Sequence, residues 1–156
     1  MLLSEEHMQI AEEKAQDSLC TRRKYGVAIS DGKKVVVTAT NFRVGHCCDG
    51  NICLRDRLSL HHGQRIEAGA ELHAEAVALL QWTGKKGHFY IAGYDRKNRP
   101  LKDMSVWPCY YCAMMIAYSG FSNVIIRNEH DLLVAMPIWE IINAYEQSYA
   151  QPIYDI

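Results

Sequence analysis

Long apolar runs are missing from this sequence, and so is an excess of charge of either sign. No stretch approaches the roughly 20 apolar residues that a membrane-spanning helix needs, so we expect no membrane partner. The N-terminus has no basic segment followed by an apolar core, as a secretory leader would have. Repeats, low-complexity segments and a convincing linker are absent too, which favours a single domain over residues 1–156.

The charge balance limits the partners that the protein can have. Basic and acidic residues number 17 and 18, which gives a formal net charge of −1. This balance disfavours nucleic acid as a partner, although it leaves a local basic patch open. The apolar fraction of 49% and the charged fraction of 22% indicate a globular chain, which we expect to be soluble and cytoplasmic.

Six cysteines are present, at positions 20, 47, 48, 53, 109 and 112. In an intracellular protein, cysteines are more often free thiols or metal ligands than disulfides. We therefore expect that some of these six residues ligate a metal.

Two short stretches carry the chemistry: His73-Ala74-Glu75 and Pro108-Cys109-Tyr110-Tyr111-Cys112. One imidazole and two thiolates suit tetrahedral Zn²⁺, and three protein ligands leave the fourth position to water, as in catalytic zinc sites. Cysteines three apart at the start of a helix lie on one face, where the helix dipole favours thiolates. Glu75, two residues after His73, need not ligate the same ion and can instead move protons.

Each stretch alone has a simpler interpretation. A C-x-x-C pair can be a redox pair or half of a structural zinc ribbon, and an H-x-E sequence is often ordinary helix surface. The two stretches together, in this order and with the proline, are much more specific. A structural zinc module that serves as a binding adaptor is the alternative from another functional class, and it would not need Glu75.

The predicted elements follow the order α–β–β–α–β–α–β–α. Ser4 is a candidate N-cap for a first helix whose apolar stripe is Met8, Ala11, Ala15 and Leu19. The segments 25–30 and 34–40 predict a hairpin, with Asp31-Gly32 as a type I′ turn. The remaining predictions are a helix over 71–82, a strand over 88–94, an extended segment over 101–106, a helix over 109–119 closed by Gly120, a strand over 124–126 and a helix from Pro137 to Tyr149.

These elements predict an α/β fold, specifically a three-layer α/β/α sandwich around a mixed sheet. The strand–helix–strand passage over 88–126 implies a parallel pair of strands with the helix on one face. We expect both helices of the site on that face, with their N-termini converging on the metal. The last helix carries a weakly amphipathic face of Trp139, Ile142, Tyr145 and Tyr149.

The segment 41–70 is long, poorly periodic and rich in histidine, cysteine, arginine and glycine. Loops of this length in compact domains are usually functional or are ordered by something bound to them. Buried thiols and surface imidazoles are the simpler interpretation of its cysteines and histidines.

Taken together, these residues resemble the cytidine deaminase superfamily, and in particular its deoxycytidylate deaminase branch, over roughly residues 5–127. Besides the two stretches of the site, the resemblance includes Tyr25-Gly26-Val27-Ala28-Ile29, Asn41, Cys112-Ala113, Ile116, Ser119-Gly120-Phe121 and Val124. The resemblance implies zinc-dependent hydrolytic deamination of a cytosine nucleotide, most simply of dCMP to dUMP and ammonia. It also implies a homo-oligomer, which is often a hexamer in this family.

The resemblance assigns roles to residues. His73, Cys109 and Cys112 would hold zinc, Glu75 would be the catalytic proton carrier, and Asn41 and Ala74 would contact the substrate. Two positions depart from the branch's pattern, because Val77 stands where asparagine is usual and Phe42 where glycine is frequent. These departures leave the substrate open between dCMP, another cytosine nucleotide, a nucleoside, a free base and a base in nucleic acid.

Some members of the family hold a second, structural zinc. The matching positions here are Cys20, Cys47-Cys48-Asp49, His61 or His62, and Glu71, from which we choose Cys20, Cys48, His62 and Glu71. A nucleotide substrate also needs a phosphate site. Candidates are Arg22, Arg23 and Lys24, or Arg43, Arg55 and Arg57, each of which can equally be solvated surface charge.

Overall fold

The computed structural model describes residues 2–42, 48–49, 52–53 and 72–149. Their elements are α1 (Glu5–Ala15), β1 (Lys24–Ser30), β2 (Val35–Thr40), β3 (Cys48–Asp49), β4 (Ile52–Cys53), α2 (Ala74–Gln81), β5 (His88–Tyr94), a 3₁₀ turn (Asp103–Val106), α3 (Tyr110–Tyr118), β6 (Asn123–Arg127), β7 (Leu133–Pro137) and α4 (Ile138–Tyr149). Among the helices so described, none is long and apolar enough to cross a membrane.

Five strands form the main sheet in the order β2-β1-β5-β6-β7. Only β5 and β6 are parallel, while the other neighbouring pairs are antiparallel. The parallel pair is connected through α3, as the strand–helix–strand pattern predicts. The sheet is therefore mixed, and the α/β prediction is confirmed.

Alternating strand residues separate two hydrophobic cores, one on each face of the sheet. On one face, Met8 and Ala11 of α1 pack with strand residues that include Ala28 and Tyr90. On the other face, residues of α2, α3 and α4 pack with the intervening strand positions, such as Val27, Ile29, Phe89, Ile91, Val124 and Ile126. Because side chains alternate across a strand, this division gives the three layers that the sequence predicts.

The β6–β7 hairpin was not predicted. Asn128 and Leu132 close its turn through a backbone hydrogen bond of 2.9 Å, and Asp131 has a φ of 63°. Pro137 ends β7 instead of opening the last helix, which begins at Ile138. Proline is tolerated there because β7 is an edge strand with a neighbour on one side only. A residue without an N–H group can occupy a position that faces away from that neighbour, so no hydrogen bond of the sheet is lost.

The first hairpin forms, but its turn is not the predicted type I′. Such a turn requires positive φ at both central residues, and of Asp31 and Gly32 only the glycine has it, at 101°. The Asp31 carboxylate instead accepts hydrogen bonds from the backbone N–H groups of Lys33 and Lys34, at 2.9 and 3.0 Å. The connection is therefore longer than two residues, since β1 ends at Ser30 and β2 begins at Val35.

Three further expectations were wrong in detail. The helix α1 ends at Ala15, so Leu19 does not continue its apolar stripe and is 86% exposed. Residues 103–106 form a 3₁₀ turn instead of an extended segment. In α4 the buried positions are Ile138, Ile141 and Ile142, whereas Trp139 and Tyr149 are largely exposed.

Gly26 provides a test of how α1 packs on the sheet. A Cβ at Gly26 would clash with the carbonyl oxygen of Ala11 and lie 2.5 Å from the backbone nitrogen of Ala15. Because these are backbone atoms, α1 would have to move, and we expect Gly26→Ala to lower the free energy of unfolding by about 3 kcal/mol or more. Urea denaturation would measure the loss.

Gly32→Ala is the matched control, since a Cβ there meets nothing within 4 Å and costs only the strain of a positive φ. That strain is about 1 kcal/mol. A loss in Gly26→Ala no larger than the loss in Gly32→Ala would contradict the close packing of α1 on β1.

Candidate active site

His73 and Glu75 lie at the N-terminal end of α2. The predicted helix began at Glu71, but in the structure His73 is the N-cap, with φ −65° and ψ 147°, and the helix starts at Ala74. The carbonyl oxygen of His73 accepts the first helical hydrogen bond, from Val77, at 3.1 Å. Glu75 therefore lies in the first turn, where the residue is only 4% exposed.

Cys109 and Cys112 lie at the N-terminal end of α3. Cys109 is the N-cap of this helix, and its Sγ accepts a hydrogen bond from the backbone N–H of Cys112 at 3.5 Å. Pro108 directly precedes the cap residue Cys109. It therefore does not occupy the first helical position, where a missing N–H group would also cost nothing. The three-residue spacing brings both sulfurs to the same end of the helix, as predicted.

These side chains converge in one group, which we call the metal-binding triad: His73, Cys109 and Cys112. Both sulfurs lie 3.5 Å from Nδ1 of His73, and all three ligand atoms lie within 4.8 Å of one another. Tetrahedral zinc, with bonds of about 2.3 Å to sulfur and about 2.0 Å to nitrogen, would hold a sulfur and a nitrogen about 3.5 Å apart. The donor types and their separations both fit zinc.

The two thiols have opposite tendencies to ionise. A hydrogen bond with Cys112, together with His73 and the backbone N–H of Cys112, lowers the pKa of Cys109 to about 4. The same hydrogen bond with Cys109, burial and the nearby Glu75 raise the pKa of Cys112. Because zinc binds thiolates, a bound metal ion would favour the deprotonated form of both residues and release their protons.

Glu75 lies beside the triad without being needed to complete it. Its Oε2 lies 4.0 Å from Nδ1 of His73. Burial raises the pKa of the Glu75 carboxyl, while the neighbouring His73 opposes this shift. A buried carboxyl group next to a metal-binding triad is well placed to accept and return protons.

Asn41 lies close to the triad through the path of the backbone. Phe42 and Leu72 form an antiparallel bridge, with N···O distances of 2.9 and 2.6 Å. Continuing this register by one residue places Asn41 opposite His73. The Asn41 side chain is buried, where it accepts from the backbone N–H of Tyr25 at 3.0 Å and donates to the carbonyl oxygen of Arg23 at 3.1 Å.

Ala74, the other candidate for substrate contact, is completely buried at the first position of α2. The N–H groups of a helix's first turn have no acceptor within the helix. The backbone of Ala74 therefore offers a hydrogen-bond donor at the same end of the helix as Glu75.

Sequence reasoning missed two tyrosines near the triad. Burial raises the pKa of Tyr25, and the charge of Glu75 adds to the shift. Burial also raises the pKa of Tyr145 to about 12, with smaller contributions from Cys109 and Glu75. The hydroxyl of Tyr145 donates to the carbonyl oxygen of Pro108 at 3.1 Å. Tyr25 belongs to a strand that carries the family resemblance, but the resemblance gives it no role in the site, and the helical period assigned Tyr145 only to an apolar face.

The second set of candidate ligands lies largely outside the described residues. His62 and Glu71 are not among them, and only the backbone of Cys48 is described, in the short β3 strand. Cys20 is described and lies buried between α1 and β1.

Comparison with known proteins identifies the family. Residues 1–128 match the family described as the cytidine and deoxycytidylate deaminase zinc-binding region. A deoxycytidylate deaminase from Schizosaccharomyces pombe is 26% identical over 128 residues, which cover 80% of this chain. The match spans only 37% of that relative's length.

Solved structures share the fold. The cyanophage S-TIM5 dCMP deaminase, crystallised in complex with dCMP and dUMP, superposes with a TM-score of 0.56 at 18% identity, over 92% of this chain and 94% of that one. Cytidine deaminase from Burkholderia pseudomallei gives a TM-score of 0.58 at 12% identity, over 90% and 96% of the two chains. The family match covers most of the chain and includes the metal-binding triad, and the chain therefore belongs to the zinc-dependent cytidine and deoxycytidylate deaminases.

Proposed function

We propose that this protein deaminates dCMP by hydrolysis, giving dUMP and ammonia. The observation that carries the proposal is a buried carboxyl group, Glu75, beside a triad of one imidazole and two thiols that fits zinc. The relatives support the choice of substrate, since the S. pombe protein is a deoxycytidylate deaminase and the cyanophage enzyme was crystallised with dCMP and dUMP.

In the proposed mechanism, His73, Cys109 and Cys112 hold the zinc ion. When bound, zinc lowers the pKa of water toward neutrality and so supplies a nucleophile. Glu75 would accept one proton of a water molecule and deliver it to the ring nitrogen of cytosine as the water oxygen bonds to C4. Glu75 would then take the second proton from that oxygen and pass it to the amino group, so that the bond between C4 and the amino nitrogen breaks and ammonia leaves. The low exposure of Glu75 keeps bulk water from competing for these protons.

The substrate's base would be oriented from the backbone. The N–H groups near Ala74 and Cys109, at the two helix starts, are donors for the oxygen and ring acceptors of cytosine. Asn41 ties the end of β2 to the start of β1 through its hydrogen bonds with Tyr25 and Arg23. The bridge between Phe42 and Leu72 joins its neighbour in the chain to the residue before His73.

Arg22 is our choice for the phosphate group. Its Nη1 atom is buried and has no hydrogen-bond partner among the residues that the structure describes. A buried guanidinium nitrogen without an acceptor is costly, and a phosphate oxygen would satisfy both its charge and its N–H. Arg23 instead donates to the hydroxyl of Tyr25 at 3.2 Å. Arg43, Arg55 and Arg57 lie outside the described residues.

The function is tested by measuring ammonia release from dCMP, CMP, deoxycytidine, cytidine and single-stranded DNA. We expect the highest kcat/KM with dCMP. The variant Glu75→Gln keeps the side-chain shape and removes the proton acceptor, so deamination should fall by about 10⁴-fold, because one positioned group moves several protons. Zinc content and the fold should not change.

The variant Arg22→Gln tests recognition of the substrate's phosphate group separately from the deamination step. It should raise KM for dCMP by about tenfold or more, while the rate with deoxycytidine, which has no phosphate, stays the same. Equal turnover of deoxycytidine and dCMP by the wild type would overturn dCMP as the substrate. Deamination of dCMP by Glu75→Gln at nearly the wild-type rate would overturn the mechanism.

We also propose that the protein holds two zinc ions, one at the triad and a second at Cys20, Cys48, His62 and Glu71. The second site rests on the family resemblance and on the chemistry of its donors, since thiols, imidazole and carboxylate are all zinc ligands. A metal there would tie the segment 43–71 to the start of β1, next to which Cys20 lies.

Metal analysis of protein purified without added zinc tests both sites. We expect about two equivalents in the wild type and about one in either Cys112→Ser or Cys48→Ser, because each removes one thiolate ligand. Cys53→Ser, which lies in neither ligand set, is the control and should keep both. Full zinc content in Cys112→Ser would contradict the triad, and full content in Cys48→Ser would exclude that cysteine, with Cys47→Ser then testing its neighbour.

We propose further that the protein is a homo-oligomer, with α3 at the interface between copies. Four apolar residues three and four apart form an exposed stripe on this helix: Tyr111, Met114, Met115 and Tyr118. Tyr111 is 71% and Tyr118 95% exposed, so these two alone offer roughly 300–400 Å² of the about 800 Å² that each partner of a standard interface buries. The helix carries no charged residue, so two copies of the stripe can meet without repulsion.

Sedimentation velocity tests this interface. Tyr118→Glu places two negative charges against each other in a symmetric contact, so the protein should dissociate to smaller species. Leu2→Glu is the control, because Leu2 is 93% exposed and precedes α1 in the opposite layer. A wild-type monomer, or equal sedimentation of Tyr118→Glu and the wild type, would contradict the proposal.

A further inference from the structure

The last helix, α4, reaches the end of α3 that carries the zinc ligands. The hydroxyl of Tyr145 donates to the carbonyl oxygen of Pro108 at 3.1 Å. Pro108 is buried and directly precedes Cys109. The family match ends at residue 128, so this contact comes from a part of the chain to which the comparisons assign no role.

We propose that Tyr145 is a positioning residue for the zinc site, holding Cys109 in place through the backbone of Pro108. The carbonyl group of Pro108 and the nitrogen of Cys109 belong to the same planar peptide unit. A hydrogen bond that fixes this oxygen therefore fixes the backbone on one side of Cys109, while the helix start fixes the other. With both sides fixed, the Sγ of Cys109 stays 3.5 Å from Nδ1 of His73.

The Tyr145 ring is held firmly enough to act in this way. It packs edge-on against the ring of Tyr110, with centroids 6.2 Å apart, and stacks on Tyr149 at 6.4 Å. The helix bearing it is anchored in the core through Ile138, Ile141 and Ile142, all of which are at most 1% exposed. The donor thus belongs to a side chain and a helix that both have fixed neighbours.

A second hydrogen bond between α3 and α4 allows a controlled comparison. The hydroxyl of Tyr110 donates to a carboxylate oxygen of Glu146 at 3.1 Å. This bond also joins the two helices, but it does not involve the backbone next to Cys109. If Tyr145 only attached α4 to the protein, loss of either hydroxyl would have a similar effect on zinc.

The experiment measures the rate at which zinc leaves the protein when a chelating dye is in excess. The kinetic phase that disappears in Cys112→Ser belongs to the triad. Tyr145→Phe removes only the hydroxyl and should speed this phase by about tenfold, as groups that orient metal ligands typically contribute 10- to 100-fold to affinity. Tyr110→Phe and Tyr149→Phe should each stay within about twofold of the wild type.

The metal-free proteins provide a second measurement. Tyr145→Phe loses a part-buried hydrogen bond and Tyr110→Phe an exposed one, so the melting temperature of Tyr145→Phe without zinc should equal that of Tyr110→Phe or lie only a few degrees below it. Zinc release from Tyr145→Phe at the wild-type rate would overturn the proposal. An equal acceleration in Tyr110→Phe would overturn it as well, because the effect would then come from general loosening of α4. Neither the rate of zinc release nor the melting temperature depends on the substrate. Failure of this proposal can therefore be distinguished from failure of the proposed dCMP deamination.

Discussion

Two helices begin at the same place, and the chemistry depends on this constraint. His73 caps α2 and Cys109 caps α3, so the triad is assembled from the ends of two helices whose buried faces are fixed in the core. A helix end is a suitable place for such a group. Its first N–H groups have no backbone acceptor within the helix, and its dipole stabilises negative charge on the thiolates. Neither helix can shift without disturbing the packing of α2, α3 and α4 on the sheet.

The same geometry explains why Glu75 and His73 have different surroundings although they are only two residues apart. His73 lies just outside α2 with an extended backbone, which lets its ring reach the two sulfurs. Glu75 lies inside the first turn, and its carboxyl group is buried 4.0 Å from the imidazole. One helix boundary therefore separates a residue of the metal-binding triad from the carboxyl group that we propose as the proton carrier.

The sequence predicted the layers and the triad because both depend on local patterns. Helical and strand periods identified α1, β1, β2, β5, α3 and β6, and the spacing of His73, Cys109 and Cys112 identified a zinc site. It did not predict β7, since five residues with no polar alternation and a terminal proline give no strand signal. Nor did it predict the position of Tyr145 near Cys109, because that contact joins residues 37 positions apart and follows from how α4 packs.

The backbone bridge between Phe42 and Leu72 has a consequence for how this protein can change in evolution. It joins the two ends of the segment 43–71 by a pair of hydrogen bonds, directly beside Asn41 and His73. The free energy of closing a loop rises slowly with length, by only about 0.6 kcal/mol for each doubling. The cost of closing this segment is therefore nearly insensitive to its length, and the bridge keeps the residues on either side of it in position. Changes in length that spare the proposed ligands Cys48, His62 and Glu71 need not disturb the triad.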